Sequence, residues 1–396
     1  MIEIRTLDDM TIPQGARVFY RVDYNVPIED GHIADTTRID ETLPTLRRLR
    51  TAGARILIAS HFGRPKGQRT LKDSLAPLRD VLADRIGSPV AWADDCIGNE
   101  AEAKSDALGE GDILLLENLR FHPEEEKNDA GFAAELRKLA DFYVNDAFGA
   151  CHRAHASIAA LPRLFQPERI GGGLLLMREV EFLQKITRVE QRPFVAVIGG
   201  AKIAGKMEAV ETLVKQADTV LFGGGLANTF LAAKGIPMGG SLVDTDELDV
   251  AKRILEHPER AHVELPIDLV VADDMDNPTV IETVDSDSGL RDDQKAFDIG
   301  PRTVELYTEA LHAAHIVFWN GPMGVFEKQA FRQGTMDIAH AVADAHGTTV
   351  VGGGESVEAA KMSGFADRIS HISTGGGASL DFISGEPLPG VEVLRR

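Results

Sequence analysis

Hydrophobic residues occur along the chain in short, uninterrupted runs that are rich in β-branched side chains. Polar residues do not alternate with apolar ones within these runs, so the runs predict strands buried on both faces, as in parallel sheets. The runs cover residues 17–26, 54–60, 112–117, 141–147, 194–199, 219–222, 269–272, 316–319 and 348–351. Segments with helical periodicity, such as 43–49 and 204–215, separate most of them. This alternation predicts an α/β fold.

The length of the chain and its internal breaks predict two domains. A chain of 396 residues is longer than a single core usually supports. Glycines 171–173 and the pair Arg192-Pro193 interrupt the middle, and 174–189 has the pattern of one amphipathic helix. We therefore predict two doubly wound, Rossmann-like parallel-sheet domains joined by a helical hinge. The expected bounds are 1–172 for the first domain, 173–192 for the connecting helix and hinge, 193–380 for the second domain and 381–396 for a tail.

Composition narrows the classes of partner. The formal net charge is -20, so the field of the whole molecule repels polyanions and argues against nucleic acid or an anionic membrane. No apolar run approaches the roughly 20 residues of a membrane-spanning helix. The first residues are acidic where a signal or transit peptide would be basic, which favours a cytoplasmic location.

The cysteines point to a reducing compartment. Two cysteines, Cys96 and Cys151, are too few for a disulfide framework. Cys151 lies close in sequence to His152 and His155, which suggests a metal site. Without a second cluster of ligands, that pattern remains weak.

In the first half of the chain, polar and basic residues follow the apolar runs. Ligands of parallel sheets bind beyond the carboxyl ends of the strands, and arginine forms bidentate contacts with phosphate and carboxylate. Each arginine alone is better explained as a solvated surface residue. Their shared placement, with Asn25 and His61 beside them, favours a site for a small, multiply charged acid. The candidates are Arg38, Arg64, Arg120 and Arg153. Arg38 is the exception in position, because it follows a turn and opens a helical stretch.

The second half carries glycine clusters at 199–200, 223–225, 352–354 and 375–377. Glycine lets the backbone approach a ligand closely, and free amides at a helix start bind phosphate. Residues 200–206 nearly match a phosphate loop, but Met207 stands where Ser or Thr would hold magnesium. The segment still offers Lys202 and Lys206 to neutralise phosphate, unless they are solvated helix residues. No G-x-G-x-x-G occurs, which argues against a nicotinamide dehydrogenase.

A further candidate lies in the tight turn after the run 316–319. Glu327 is either a surface residue of a packed loop or an acceptor for ribose hydroxyls.

Taken in order, these segments resemble the phosphoglycerate kinase family from about residue 21 to residue 390. The matching stretches are RVDYNVP from Arg21, SHFGRPKG from Ser60, LENLRF from Leu116, HRAHAS from His152, GGAK from Gly199, FGGGLANTF from Phe222, DIGP from Asp298, FWNGPMGVFE from Phe318, GGGES from Gly352 and STGGGA from Ser373.

The resemblance implies a phosphotransferase of glycolysis and gluconeogenesis that interconverts 1,3-bisphosphoglycerate plus ADP and 3-phosphoglycerate plus ATP. It implies Mg²⁺ bound with the nucleotide, a monomer that closes about a hinge, and a tail that returns to the first domain. Catalysis would depend on Arg38 and Lys202. The implied phosphoglycerate ligands are Asp23, Tyr24, Asn25, Arg38, His61, Phe62, Gly63, Arg64, Arg120 and Arg153. The implied nucleotide ligands are Lys206, Asn320, Glu327, Gly353, Gly354, Glu355 and Ser356.

The departures from the family fall near the expected magnesium. Glu355 replaces a common Asp, and Gly205 replaces a common Asp or Thr. Glu355 is the candidate magnesium ligand, and its additional methylene predicts weaker metal binding. The alternative is a catalytically impaired nucleotide-binding paralogue with a regulatory role.

Overall fold

The computed structural model describes residues 3–29, 32–201, 206–257 and 261–396. Contacts divide the chain into one unit of Met1–Glu181 with Pro387–Arg396 and a second unit of Phe182–Glu386. The boundary falls within the helix Leu174–Arg188. No helix in the described part of the chain is both long and apolar enough to cross a bilayer.

The first unit contains a six-stranded parallel sheet in the order β5-β6-β4-β1-β7-β8. A short antiparallel pair, β2 with β3, lies outside it. The strands are Arg17–Arg21 (β1), Ile28–Glu29 (β2), His32–Ile33 (β3), Arg55–Ala59 (β4), Val90–Ala93 (β5), Ile113–Leu116 (β6), Phe142–Asn145 (β7) and Ile170–Gly172 (β8).

The helices of the first unit connect these strands. Helix α2 places Leu43, Leu46 and Leu49 on one buried face because they recur every three residues. The helices are Thr37–Asp40 (α1), Leu43–Thr51 (α2), Leu78–Ile86 (α3), Gly98–Asp106 (α4), Pro123–Glu126 (α5), Ala130–Lys138 (α6) and Pro389–Glu392, with Leu174–Arg188 (α7) crossing the unit boundary.

Strand β1 is central, and residues on both of its faces are fully buried, as the uninterrupted apolar run predicts. The strand ends at Arg21, however, although the run continues to Val26. The amide of Tyr24 donates to Oγ of Ser60 at 2.9 Å instead of to a neighbouring strand. The predicted strand 17–26 is therefore too long, and its last part forms a loop.

The last ten residues pack within the first unit. The amide of Gly390 donates to the carbonyl of Cys151 at 3.0 Å, and the amide of Arg5 donates to the carbonyl of Leu394 at 2.7 Å. Leu388 and Leu394 are buried.

The second unit has a six-stranded parallel sheet in the order β11-β10-β9-β15-β16-β17 and a three-stranded antiparallel sheet in the order β13-β12-β14. The strands are Phe194–Ile198 (β9), Thr219–Phe222 (β10), His262–Glu264 (β11), Asp268–Ala272 (β12), Ile281–Asp285 (β13), Lys295–Ile299 (β14), Ile316–Asn320 (β15), Thr348–Gly352 (β16) and His371–Ile372 (β17).

Helices again connect the strands of the larger sheet. The predicted helix 204–215 is described from Met207 to Gln216. The helices are Met207–Gln216 (α8), Gly224–Ala233 (α9), Leu248–Glu256 (α10), Pro301–His312 (α11), Gln333–Asp344 (α12), Gly354–Met362 (α13) and Gly377–Ser384 (α14). The last α-helix of the described residues, Pro389–Glu392 (α15), belongs to the first unit.

The predicted fold class is confirmed, since each unit has a parallel sheet of six strands. The run 269–272 is an exception to the predicted parallel arrangement. It lies in β12, which pairs antiparallel with both β13 and β14. A central strand of either kind of sheet is largely buried, so an apolar run of this length does not separate the two cases.

Candidate active site

Polar side chains of the first unit converge at the carboxyl ends of its strands. Asp23 follows β1, His61 follows β4, and Arg120 follows β6. Arg38, at the start of the chain's first α-helix, forms an ion pair with the Asp23 carboxylate. Nε2 of His61 lies 3.7 Å from Oδ1 of Asp23. The sheet therefore brings residues that are distant in sequence into one charged cluster.

The surroundings of Asp23 hold it in the ionised form. Burial by itself would raise the pKa of this carboxyl. The guanidinium groups of Arg38 and Arg21, together with a hydrogen bond from the Asn25 amide at 3.1 Å, outweigh burial and keep the pKa of Asp23 below its ordinary value. Asp23 is thus a permanent anion that orients the Arg38 guanidinium.

His61 is held in the neutral form. Burial lowers the pKa of its ring well below 6.5, because the charged ring would lose its hydration. The Asp23 carboxylate opposes this shift, and the guanidinium groups around the ring reinforce it. A neutral ring can donate one hydrogen bond to an anion without adding charge.

The sequence analysis did not single out Arg21, which is fully buried beneath this cluster. Its Nε donates to Oγ of Ser157 at 2.8 Å, and its Nη2 lies 4.0 Å from Oε1 of Glu125. Ser157 in turn donates from its amide to Glu125 at 2.9 Å. The signal was present, because Arg21 opens the stretch RVDYNVP at the end of an apolar run.

Asn25 and Asn118 fix the loop at residues 62–64. Oδ1 of Asn25 accepts the Gly63 amide at 2.9 Å. Asn118 brackets Phe62, accepting its amide at 3.1 Å and donating to its carbonyl at 2.7 Å. Gly63 has φ of +58°, and a Cβ there would collide with the Asp73 carboxylate. The Phe62 ring is buried, so the aromatic side chain anchors the loop.

Arg120 is the most buried of the four candidate arginines. Its side chain is 5% exposed, its Nη1 donates to the Gly63 carbonyl at 2.8 Å, and its Nε lies 3.5 Å from Glu126. Burial lowers the pKa of this guanidinium. These contacts hold the charge of Arg120 beside the loop that carries Gly63.

Three predicted ligands stand apart from these contacts. The Tyr24 side chain is fully buried, with its hydroxyl 2.8 Å from Oγ1 of Thr42. Arg64 is exposed and has no hydrogen-bond or ion-pair partner within the described residues. Arg153 is exposed, and its Nε lies 3.0 Å from Nε2 of His152. Their roles remain predictions.

The suggested metal site at Cys151, His152 and His155 is not supported. Among the described residues, the group whose side chains could share an ion is Asp95, Cys96 and His122. Cys151 is buried, and its sulfur donates to the carbonyl of Ala147 at 3.4 Å. The short sequence spacing was misleading because it says nothing about which side chains converge.

In the second unit, glycine clusters and a turn enclose a cavity of about 600 Å³. Its walls come from the residues that follow β9, β10 and β15, from β14 and from the start of α13. The lining residues include Gly200, Gly224, Asp298, Met323, Glu327 and Glu355. The cavity is large enough for a small-molecule ligand.

Lys206 lies next to this cavity at the start of α8. Its ammonium donates to the carbonyl of Gly199 at 3.3 Å. Burial lowers the pKa of Lys206, and the nearby Glu355 carboxylate opposes that shift. The predicted catalytic Lys202, and Gly205, lie outside the described residues.

Asn320 and Ser356 tie β15 to the start of α13. Nδ2 of Asn320 donates to the Gly352 carbonyl at 2.8 Å, and Oγ of Ser356 accepts the Gly321 amide. Gly353 has φ of +93°, and a Cβ there would lie 2.7 Å from Nδ2 of Asn320. Only a residue without a side chain allows this close approach. Gly353 is the residue before α13, and Gly354 is the first residue of that helix.

Asp298 is a second residue that the sequence analysis missed, although it begins the quoted stretch DIGP. It lines the cavity and is 4% exposed. Burial raises its pKa to about 7, despite hydrogen bonds from the amides of Gly334 at 2.7 Å and Ile299 at 2.9 Å. Asp298 therefore fixes the start of α12 beside the cavity.

Comparisons with known proteins agree with this geometry. A family model described as phosphoglycerate kinase matches residues 7–386. The curated phosphoglycerate kinases of Desulforudis audaxviator and Thermomicrobium roseum are 49% and 48% identical over 393 residues, with 99% of each chain covered. The solved structure of phosphoglycerate kinase from Coxiella burnetii has a TM-score of 0.89 at 35% identity, covering 99% of both chains. That from Pyrococcus horikoshii has a TM-score of 0.86 at 34% identity and covers 99% of this chain and 98% of its own. With both the fold and nearly the whole sequence matched, this chain belongs to the phosphoglycerate kinase family.

Proposed function

We propose that this enzyme binds the phospho-acid on its first unit and the nucleotide on its second unit. The family's reaction moves a phosphoryl group between ATP and the carboxylate of 3-phosphoglycerate in glycolysis, and this chain is an enzyme of that type. The observation that supports separate binding sites for the two substrates is the chemical contrast between the units. One gathers Asp23, Arg38, His61 and Arg120 at a sheet edge, and the other has a glycine-lined cavity.

The charged cluster of the first unit suits 3-phosphoglycerate. Arg38 and Arg120 offer guanidinium groups for its carboxylate and phosphate, and neutral His61 offers a ring N–H. Asp23, Asn25 and Gly63 hold these groups in place through the contacts described above. Arg64 and Arg153 are exposed and complete the site when the acid binds. Tyr24 and Phe62 support the site without contacting the acid, since both side chains are buried and their amides are bonded to Ser60 and Asn118.

The cavity of the second unit suits ATP or ADP. Gly353 and Gly354 leave amides at the helix start open to phosphate, and Lys206 supplies a positive charge beside them. Glu327 lines the same cavity and would accept the ribose hydroxyls. Asn320 and Ser356 act by holding the phosphate-binding backbone in place.

Mg²⁺ fits this cavity next to Glu355, whose carboxylate is exposed in the first turn of α13. Mg²⁺ in proteins usually takes one or two carboxylates together with phosphate oxygens and water, so a single carboxylate is an adequate donor set. Glu355 would hold the metal, which would neutralise phosphate charge when bound. The longer side chain at this position is compatible with such an arrangement through a shifted carboxylate. Nothing found favours the alternative of an impaired regulatory paralogue.

The reaction requires no general base, because the nucleophile is a carboxylate that is already ionised at neutral pH. The protein's task is to align the reactants and to neutralise the transferred phosphoryl group. Arg38 from the first unit and Lys202 from the second would supply that neutralisation. We expect Lys202→Ala to reduce turnover far more than ground-state binding.

The two reactants must also be brought together. A phosphoryl acceptor and donor react when their atoms are about 3–3.5 Å apart. We therefore propose closure about a hinge in residues 174–192 when both substrates are bound. Small-angle scattering should show compaction with both substrates present, and an unchanged radius of gyration would contradict closure. The enzyme would act as a cytoplasmic monomer on small molecules, without nucleic-acid or membrane partners.

Titration calorimetry with paired variants tests the division between units. Arg120→Ala should weaken 3-phosphoglycerate binding by about ten- to a hundredfold and leave ADP binding unchanged, because a charged hydrogen bond is lost. Glu327→Ala should weaken ADP binding alone. Arg163→Ala, at an exposed position of the first unit, is the matched control. Unchanged 3-phosphoglycerate affinity in Arg120→Ala would refute the assignment.

A further inference from the structure

A group of mixed metal-binding side chains lies outside both sites described above. Asp95, Cys96 and His122 each present one ligand atom, and these atoms all lie within 4.8 Å of one another. We propose that the three side chains form a binding site for a borderline-soft divalent cation such as Zn²⁺.

The topology of the sheet brings the three residues together. Asp95 and Cys96 follow β5. His122 follows the short 3₁₀ turn Leu119–Phe121, which comes after β6. The two strands are neighbours in parallel register, with Ala93 opposite Leu116. The carboxyl ends of the two strands therefore lie at the same end of the sheet. This places the side chains of Cys96 and His122 close together, although the two residues are 26 positions apart in the sequence.

The ring of His122 is already oriented for coordination. Its Nε2 lies 2.7 Å from Oδ1 of Asp95, and the ring stacks on Phe132 with centroids 5.1 Å apart. The same Oδ1 accepts the Cys96 amide at 2.6 Å, which fixes the carboxylate. The His122 ring and the Asp95 carboxylate are thus held side by side, and a cation would take the place of the hydrogen bond between them.

The site has one buried wall and one open side. Cys96 is fully buried, whereas the side chains of Asp95 and His122 are 39% and 24% exposed. A cation can enter from the exposed side and meet the sulfur at the bottom. The thiol proton then leaves to solvent as the metal–sulfur bond forms, and the ring proton of His122 moves through solvent from Nε2 to Nδ1, which frees Nε2 for the metal.

The ligand types select the metal. Thiolate and imidazole prefer Zn²⁺ or Co²⁺, whereas Mg²⁺ prefers oxygen ligands. Zinc binds sulfur, nitrogen and oxygen ligands at about 2.0–2.3 Å in a tetrahedral arrangement. One ligand of each kind would leave the fourth position for water. The charges nearby are mixed: Asp95 and Glu125 attract a cation, and Arg69 repels it. This site is therefore distinct in chemistry from a magnesium site beside Glu355.

Cobalt spectroscopy tests the proposal on the full chain without substrates. Titration with Co²⁺ should produce a thiolate-to-cobalt charge-transfer band in the near ultraviolet at one equivalent, and Zn²⁺ should abolish it by displacement. Excess Mg²⁺ should leave the band unchanged. The chain has only the cysteines Cys96 and Cys151, and both lie in the first unit. Cys96→Ser should remove the band, and Cys151→Ser, at the other buried cysteine, should retain it.

Absence of the band in the unmodified protein, or its persistence in Cys96→Ser, would overturn the proposal. If Cys96→Ser does not fold, Asp95→Asn and His122→Gln carry the test, because their side chains are partly exposed. Each should weaken Co²⁺ binding by at least about tenfold. Unchanged affinity in both variants would equally reject the site.

Discussion

Nη2 of Arg21 lies 3.3 Å from Nδ1 of His61, and both side chains are buried. A guanidinium only donates hydrogen bonds, so Nδ1 must accept and the ring proton must be on Nε2. That nitrogen is the one 3.7 Å from Asp23. Arg21 therefore sets the tautomer of His61 and directs its N–H toward the charged cluster.

Arg21→Gln should destabilise the first unit strongly. The substitution removes the cation next to Glu125, whose carboxylate is fully buried 4.0 Å away. Removing one partner of a buried ion pair costs about 3–5 kcal/mol, since the remaining charge is uncompensated. Urea unfolding measures the loss, with Trp92 as the fluorescent reporter of this unit in a Trp319→Phe background.

The control for Arg21→Gln is a second substitution in the same pair. Adding Glu125→Gln removes the uncompensated charge and should restore part of the lost unfolding free energy. A loss below about 1 kcal/mol in Arg21→Gln would show that the pair is not a stabilising element.

His155→Asn should flatten the acid dependence of stability. Burial, reinforced by Arg120, Arg21 and Arg153, lowers the pKa of His155 to about 3. The unfolded chain binds this proton near pH 6.5, so stability is complete above that pH and falls as the pH drops toward 3. The slope from this group is at most about 1.4 kcal/mol per pH unit. Urea unfolding at several pH values between 4.5 and 7 should show a shallower slope in the variant, and an identical slope would contradict the prediction.

Asp298→Asn should have the opposite signature in the second unit. The pKa of Asp298 is raised by burial to about 7, whereas an unfolded Asp titrates near 3.8. The folded state therefore holds an additional proton between these values, and stability falls as the pH rises from about 4 to 7. In Asp298→Asn, stability should no longer fall over this pH range. Thermal unfolding monitored by Trp319 in a Trp92→Phe background measures it, and a retained fall would exclude Asp298 as its source.

Glu355→Gln should raise the Mg²⁺ concentration needed for half-maximal activity by about tenfold or more, because the carboxylate proposed to hold the metal is lost. Glu355→Asp should not raise it, since the shorter carboxylate is the one common in the family. Glu358→Gln, an exposed position on the same helix, is the control. Equal magnesium dependence in Glu355→Gln and Glu358→Gln would remove Glu355 from the site.

Several features could be predicted from the sequence because they depend on local composition. Uninterrupted apolar runs specify strands covered on both faces, and β1 and β15 are buried as expected. Glycines at 352–354 signal a backbone that closely approaches its surroundings, which the conformation of Gly353 bears out. The amphipathic pattern likewise predicted the helix at Leu174–Arg188 to within a residue.

Other features depend on which distant residues meet. Arg21 and Arg64 each lie near the end of an apolar run, yet Arg21 is fully buried against Glu125 and Ser157 while Arg64 is exposed. Cys96 and His122 meet only because β5 and β6 are neighbours in register. The sequence by itself determined the fold class, the family and the kinds of side chain at each strand end, since these follow from periodicity and short motifs. Only the tertiary structure decided burial, charge pairing and pKa, because these depend on long-range strand order and on the exclusion of water around each group.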